Sequence, residues 1–218
     1  MATEIYKTEE WNGYAYCHAS VFSSFQFELF RETAKHLQGD IVDCGCGSSR
    51  LAPFLADQVK VSSYTGVDAA EEMVEVARDL IAQLSDDRFK IVHCKIEDVH
   101  QKFTSAVSIH SYYSWPKPEV VLRQIYELLL PDSLFVLATP NASLDMPRLL
   151  KEAEKELICH PHYSDFKRFN MQFANNPQAR FISMDRLVKQ VQDVGFKVQE
   201  CNQKHYLGGV NLLLLKKA

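Results

Sequence analysis

The chain has 218 residues, 46% of them hydrophobic and 24% charged, with a net charge of −4. That length carries a full core in one domain, and the composition is that of an ordinary globular protein. The acidic balance disfavours a nucleic-acid partner, which needs a basic face, and no run of about 18 apolar residues is present to cross a membrane. The opening Met1 to Lys7 lacks a basic start followed by an apolar core, so no secretory leader is expected and the chain is read as cytoplasmic. Its six cysteines, Cys17, Cys44, Cys46, Cys94, Cys159 and Cys201, are accordingly read as reduced thiols, and they show no zinc-binding pattern.

In chain order, Trp11 to His18 is unusually aromatic, and apolar positions from Phe22 to Leu37 predict a helix over roughly Ser20 to Leu37. Ile41 and Val42 then read as a buried strand. It runs into Asp43-Cys-Gly-Cys-Gly-Ser-Ser-Arg50, and Leu51, Phe54, Leu55 and Val59 predict a helix from Ser48 to Val59. A strand, a glycine turn and a helix start form a nucleotide-binding corner, with Gly45 and Gly47 letting the backbone turn and a ligand approach. The third glycine of a dinucleotide fingerprint would fall at Arg50, which argues against NAD. Asp43 would repel a pyrophosphate but favour a ligand with positive charge. Tyr64 to Asp68 reads as the second strand. Asp68 follows Gly47 by 21 residues, about the spacing at which an acid takes the ribose hydroxyls. Its alternative role is to cap the helix that carries Met73, Ala77, Leu80 and Leu84.

The third strand is Phe89 to Cys94, and the fourth is Ala106 to Ile109, opening into His110-Ser-Tyr-Tyr-Ser-Trp115. A helix from Glu119 to Leu130, a turn through Ser133 and a fifth strand, Leu134 to Ala138, follow. Asp145 is a suitable N-cap for a helix reaching Leu157, Ser183 for another that stops at Gly195. Phe196 to Glu200 and Val210 to Leu215 read as two strands joined through Gly208 and Gly209. His160 and His162 alternate as a metal pair would, but no third ligand is evident, so no metal is expected.

The acid followed by Gly-x-Gly, together with Asp68 and the terminal pair of strands, resembles class I S-adenosylmethionine-dependent methyltransferases of the small-molecule type. The likeness covers about residues 39 to 216, and the family's third glycine falls at Ser49. It implies an α/β, Rossmann-like, doubly wound and mostly parallel seven-stranded sheet of order 3-2-1-4-5-7-6, the last strand antiparallel, with helices on both faces and a helical, aromatic lid. One domain is expected over 1–218: a cap (1–38), a cofactor-binding half (39–140), a lid insertion (141–182), and a helix with the final hairpin (183–218).

S-adenosylmethionine is the implied cofactor, held by Asp43, Gly45, Cys46, Gly47, Asp68, Ala69, Ile96, Glu97 and His110, with Lys95 standing where the family usually places an acid beside adenine. His110, Tyr113 and His18 are the candidate catalytic residues, since an imidazole titrates near working pH. Tyr14, Tyr16, Tyr112, Trp115, His160, His162 and Tyr163 are candidates for contact with a small, partly aromatic or apolar acceptor. The expected assembly is a monomer or homodimer. A methyltransferase-fold protein with another reaction, or a catalytically silent binding subunit, stays open beside methyl transfer.

Overall fold

The computed structural model describes residues 11–176 and 179–218. The first ten residues of the expected cap, and with them the leader reading, lie outside the described residues. The elements are α1 (Ala15–Ser20), α2 (Ser24–Lys35), β1 (Gly39–Cys44), α3 (Pro53–Ala56), β2 (Val61–Asp68), α4 (Glu71–Leu84), β3 (Phe89–His93), β4 (Phe103–Ile109), α5 (Pro118–Leu128), β5 (Leu129–Pro140), α6 (Met146–Leu157), α7 (Tyr163–Asn175), α8 (Met184–Val194), β6 (Phe196–Lys204) and β7 (Val210–Lys217).

The seven strands form one sheet of order β3-β2-β1-β4-β5-β7-β6. All pairs from β3 to β5 are parallel, and β7 runs antiparallel to both β5 and β6. Successive strand residues feed opposite faces, as a pleated strand requires. Ile41 and Val107 pack on one side with Leu29, Phe30 and Ala34 of α2 and Leu55 of α3. Val42 and Ala106 pack on the other with Val121, Leu122 and Ile125 of α5 and Leu187 and Val191 of α8. The chain order reverses between β1 and β4, so their carboxyl ends open the crevice where ligands of such sheets bind.

Three sequence expectations are corrected. The helix expected from Ser20 begins at Ser24, because Val21 is extended and Ser23 forms a reciprocal capping box with Gln26. A separate short helix, α1, precedes the break. The helix expected from Ser48 to Val59 shrinks to the four residues of α3: Ser49 is left-handed (φ 58), Pro53 stands in its first turn, and Val59 is fully exposed. The turn expected at 130–133 lies within β5 as a bulge. Phe103 opposes Leu129 and Ser105 opposes Leu134, which leaves the intervening residues unpaired with Asp132 at φ 63.

A third apolar cluster sits above the crevice rather than on the sheet. Tyr14, Ala15 and Cys17 around α1 meet Leu149, Leu150 and Ala153 of α6 and Phe166 and Phe173 of α7. Burial of these aromatic and aliphatic groups, at about 25 cal/mol per Å2, holds the roof in place. Within the lid insertion expected at 141–182, residues 146–157 and 163–175 form the helices α6 and α7.

Candidate functional site

The corner after β1 is shaped by backbone. Gly45 and Gly47 have φ of 76° and 54°, a region that residues with a Cβ seldom occupy. A Cβ on Gly45 would lie 2.4 Å from Cβ of Ser111, and one on Gly47 would meet the His18 ring at 3.2 Å. Ser49 takes the left-handed conformation that the family's third glycine would supply, and its hydroxyl joins a buried chain. Tyr64 donates its hydroxyl to Asp43 Oδ2 at 2.8 Å and meets Ser49 Oγ at 2.8 Å.

Two carboxyl groups face this corner, Asp43 buried and Asp68 partly so. Burial pushes the Asp43 carboxyl up to about 7; the bond from Tyr64 opposes this and the charge of Asp68 adds to it. Asp68, at the end of β2, is likewise raised by burial, against the pull of backbone N–H groups. Its Oδ2 accepts from the Gly47 amide at 2.8 Å and its Oδ1 from the Ala70 amide at 2.9 Å. The capping role and a ligand role are therefore compatible, since each oxygen keeps further lone pairs. Ile96 and Glu97 stand in the short 3-10 turn Ile96–Asp98 after β3.

The other wall is built from side chains. His18 is partly buried, and its Nδ1 lies 2.8 Å from Ser48 Oγ. Burial, with Arg50 and His110 nearby, lowers its basicity well below the ordinary range. Tyr14 accepts a hydrogen bond from Asn170 at 3.2 Å and touches His18 edge-on at 5.5 Å. His110 terminates β4 at φ 58 with neither ring nitrogen partnered among the described residues. Burial, then the charges of Arg50 and His205, push its pKa down to about 3, so the ring is neutral at pH 7. Its edge meets Tyr206 at 4.9 Å. Tyr206 rides on a turn in which His205, Tyr206 and Leu207 all have positive φ. Glu32 of α2 secures that turn through Lys204 and through His205 at 2.8 Å. Three successive strained residues without a glycine are costly, and such strain concentrates at ligand sites.

Both walls enclose one cavity of about 290 Å3. The structure brings Asp43, Gly45, Cys46, Gly47, Asp68, Ala69, Ile96, Glu97, His110, Tyr113, His18, Tyr14 and Trp115 to it. Five expected acceptor contacts are not brought there. Tyr16 is 67% exposed and packs edge-on against His162. Tyr112 points into the core under α5 and α8, where its hydroxyl donates to Gln190. His160 and His162 lie in the turn before α7, with the His160 ring accepting from the His162 amide at 3.2 Å. Tyr163 is buried, and its hydroxyl donates to the Leu150 carbonyl at 3.0 Å. Helix α7 turns these last residues outward or into the roof and presents Phe166, Asn170 and Phe173 to the cavity instead. Spacing by three and four along 166–173 was the available signal. Arg50 and Tyr206 also line the cavity, although the sequence offered the first only as an objection to NAD and no sign of the second.

This architecture, a doubly wound sheet with an acid-flanked glycine corner under an aromatic roof, defines an adenosyl-cofactor-binding α/β enzyme fold. A family model described as a methyltransferase domain matches residues 19–200, and the chain belongs to that family. No protein of curated function matches it. Among solved structures, a possible histamine N-methyltransferase from Thermotoga maritima is 18% identical, with 97% of this chain and 100% of that one covered at a TM-score of 0.67. The mycolic acid cyclopropane synthase CmaA1, complexed with SAH and CTAB, is 16% identical over 88% of this chain and 84% of its own, with a TM-score of 0.66. The [4+2]-cyclase SpnF is 14% identical over 87% and 80%, with a TM-score of 0.64. S-adenosylmethionine is the family's cofactor and this chain's. Asp43 and Asp68 fit it: their carboxyl groups suit a cationic ligand bearing hydroxyl and amine donors.

Proposed function

We propose that the chain methylates an oxygen or nitrogen of a small, partly aromatic or apolar acceptor. The observation that carries this reading is that one cavity joins the carboxylate corner to a roof of Trp11, Tyr14, Met146, Leu150, Phe166 and Phe173. The same cavity, about 290 Å3, has to take the cofactor as well, so only a small acceptor has room beside it. In this reading Asp68 takes the ribose hydroxyls, Ile96 covers the adenine face, and Asp43 faces the positively charged end. The cofactor supplies an electrophilic methyl group.

The protein's share of the chemistry is positioning. Fixing an acceptor in line with its reaction partner accounts for up to roughly 7–11 kcal/mol in favourable cases. Gly45, held against Ser111, sets the floor, and the apolar roof excludes water. His110 is the candidate partner of a hydroxyl acceptor: its neutral ring accepts the hydrogen bond, and with its basicity lowered it orients the hydroxyl more than it deprotonates it; His18 and Tyr113 help to orient it. An amine acceptor would need only the orientation.

Calorimetric titration with S-adenosylmethionine, S-adenosylhomocysteine and NAD tests the reading. Binding of the two sulfur compounds without NAD is expected, followed by release of S-adenosylhomocysteine in a screen of small aromatic alcohols and amines. Absence of binding by both sulfur compounds would reject it. The [4+2]-cyclase with this fold motivates the alternative of a non-methylating reaction. Acceptor consumption without release of S-adenosylhomocysteine would favour that alternative.

A further inference from the structure

The cavity is lined by a cation with no ion-pair partner among the described residues. Arg50 is 7% exposed. Its Nη1 donates to the Val21 carbonyl at 2.8 Å, and its guanidinium lies over the Phe22 ring at 5.3 Å. Nε and Nη2 are buried and have no hydrogen-bond partner among the described residues. Anchoring Val21 occupies one nitrogen and leaves the charge unexplained. A buried guanidinium with unfilled donors is unfavourable unless something pairs with it.

The same wall holds further unfilled polar atoms. The Tyr206 hydroxyl and both ring nitrogens of His110 are buried without partners among the described residues, and both side chains line the cavity with Arg50. The ionisable groups that feel Arg50 are Tyr14, Tyr206, Cys17, His18 and His110, and burial holds each of them neutral at pH 7. The arrangement is thus one positive charge, a phenol donor and a neutral imidazole lining one cavity.

We propose that Arg50 and the Tyr206 hydroxyl form the seat of a carboxylate that a ligand brings into this cavity. A planar guanidinium with two free nitrogens matches a carboxylate in two-point geometry, where a lysine would offer only a point charge. The strained turn at 205–207 then has a purpose, because it delivers the phenol to the same spot. The inference rests on the methyl-transfer reading, in which two ligands could carry the group: the acceptor, or the amino-acid end of the cofactor. Arg50 leans on the cap, through the Val21 carbonyl and the Phe22 ring, and this points to the acceptor.

The test is calorimetric titration of the full chain in two arms. The first compares S-adenosylhomocysteine with its decarboxylated analogue. The second saturates the protein with S-adenosylhomocysteine and compares benzoate and 3-phenylpropionate with their amides. Each arm is run on the native chain, Arg50→Gln and Tyr206→Phe. The expected result is a preference for the carboxylate of roughly ten- to a hundredfold in the second arm. That preference should fall to near unity in Arg50→Gln and by a smaller factor in Tyr206→Phe. The same pattern in the first arm would support the seat and assign it to the cofactor. No preference in either arm of the native chain, with S-adenosylhomocysteine bound, overturns the seat and leaves the methyl-transfer reading standing. Failure of S-adenosylhomocysteine to bind removes both. The native-chain comparisons stand whether or not the variants fold, and a preference that survives a folded Arg50→Gln also overturns the seat.

Discussion

The two walls of the cavity are made by different means. The cofactor corner is backbone geometry: strand ends, two left-handed glycines, and carboxylates already bonded to Gly47, Ala70 and Tyr64. The opposite wall is assembled from side chains of α1, α6, α7, the His110 segment and the turn before β7, and among the described residues His110, Tyr206 and, from the loop after β1, Arg50 keep unfilled polar atoms. A corner built this way specifies one ligand in advance. A wall with unfilled donors specifies its ligand by what would fill them.

The sharpest way to break this contrast is to place a methyl group in the corner. Gly45→Ala combines a φ of 76° with a contact of 2.4 Å to Ser111. Backbone strain of about 1–3 kcal/mol and a similar overpacking penalty are expected. Binding of S-adenosylhomocysteine should become undetectable by calorimetry, and chemical denaturation should show a chain destabilised by a few kcal/mol. Native-like affinity in this variant would mean that the corner is not where the cofactor sits.

Next in size are opposite pH responses from the two walls. Asp43 titrates at about 7 in the fold, above the ordinary carboxylate value. A raised folded pKa contributes stability that is complete below the unfolded value and lost as pH rises through about 7. Asp43→Asn should therefore gain on the native chain between pH 5 and 8 in urea unfolding. Affinity for the cationic cofactor should rise over the same window in the native chain and stay flat in the variant. His110 runs the other way. Its pKa falls from about 6.5 to about 3, so its contribution is present above 6.5 and lost as pH falls toward 3. On the order of 1–2 kcal/mol should disappear between pH 7.5 and 5, and His110→Asn should flatten that loss. A variant with the native acid response would place the titration elsewhere.

The same contrast governs what could be read from the sequence. The corner was legible because its determinants are local: an acid, two glycines, and an acid 21 residues past the second. The strand order followed from the resemblance those residues carry, and the observed order β3-β2-β1-β4-β5-β7-β6 agrees with it. Local pattern failed where one residue's conformation overrode it. Leu51, Phe54 and Leu55 have helical spacing, yet the left-handed Ser49 and Pro53 delay the helix. In the roof, which side of α7 faces inward is decided by packing against α1 and α6, so nearness in sequence to the lid misplaced His160, His162 and Tyr163. Tyr206 had no local signal, because its backbone conformation is one that sequences ordinarily mark with glycine or asparagine.

The smallest expected effects test where the wall ends. Tyr112 and Tyr113 are neighbours in a short 3-10 turn, and the chain sends one to the core and the other to the cavity. Tyr112→Phe removes only the bond to Gln190, so stability should fall by about 1 kcal/mol while cofactor affinity and turnover stay at native values. His162→Ala, on the outer turn, should change stability by no more than about 0.5 kcal/mol and leave turnover unchanged. Tyr113→Ala, by contrast, opens the roof against Phe181 and should raise the acceptor KM. A fall in turnover in Tyr112→Phe comparable to that in Tyr113→Ala would mean that the acceptor reaches through the turn toward α8. The boundary drawn between core and cavity at residue 112 would then be wrong.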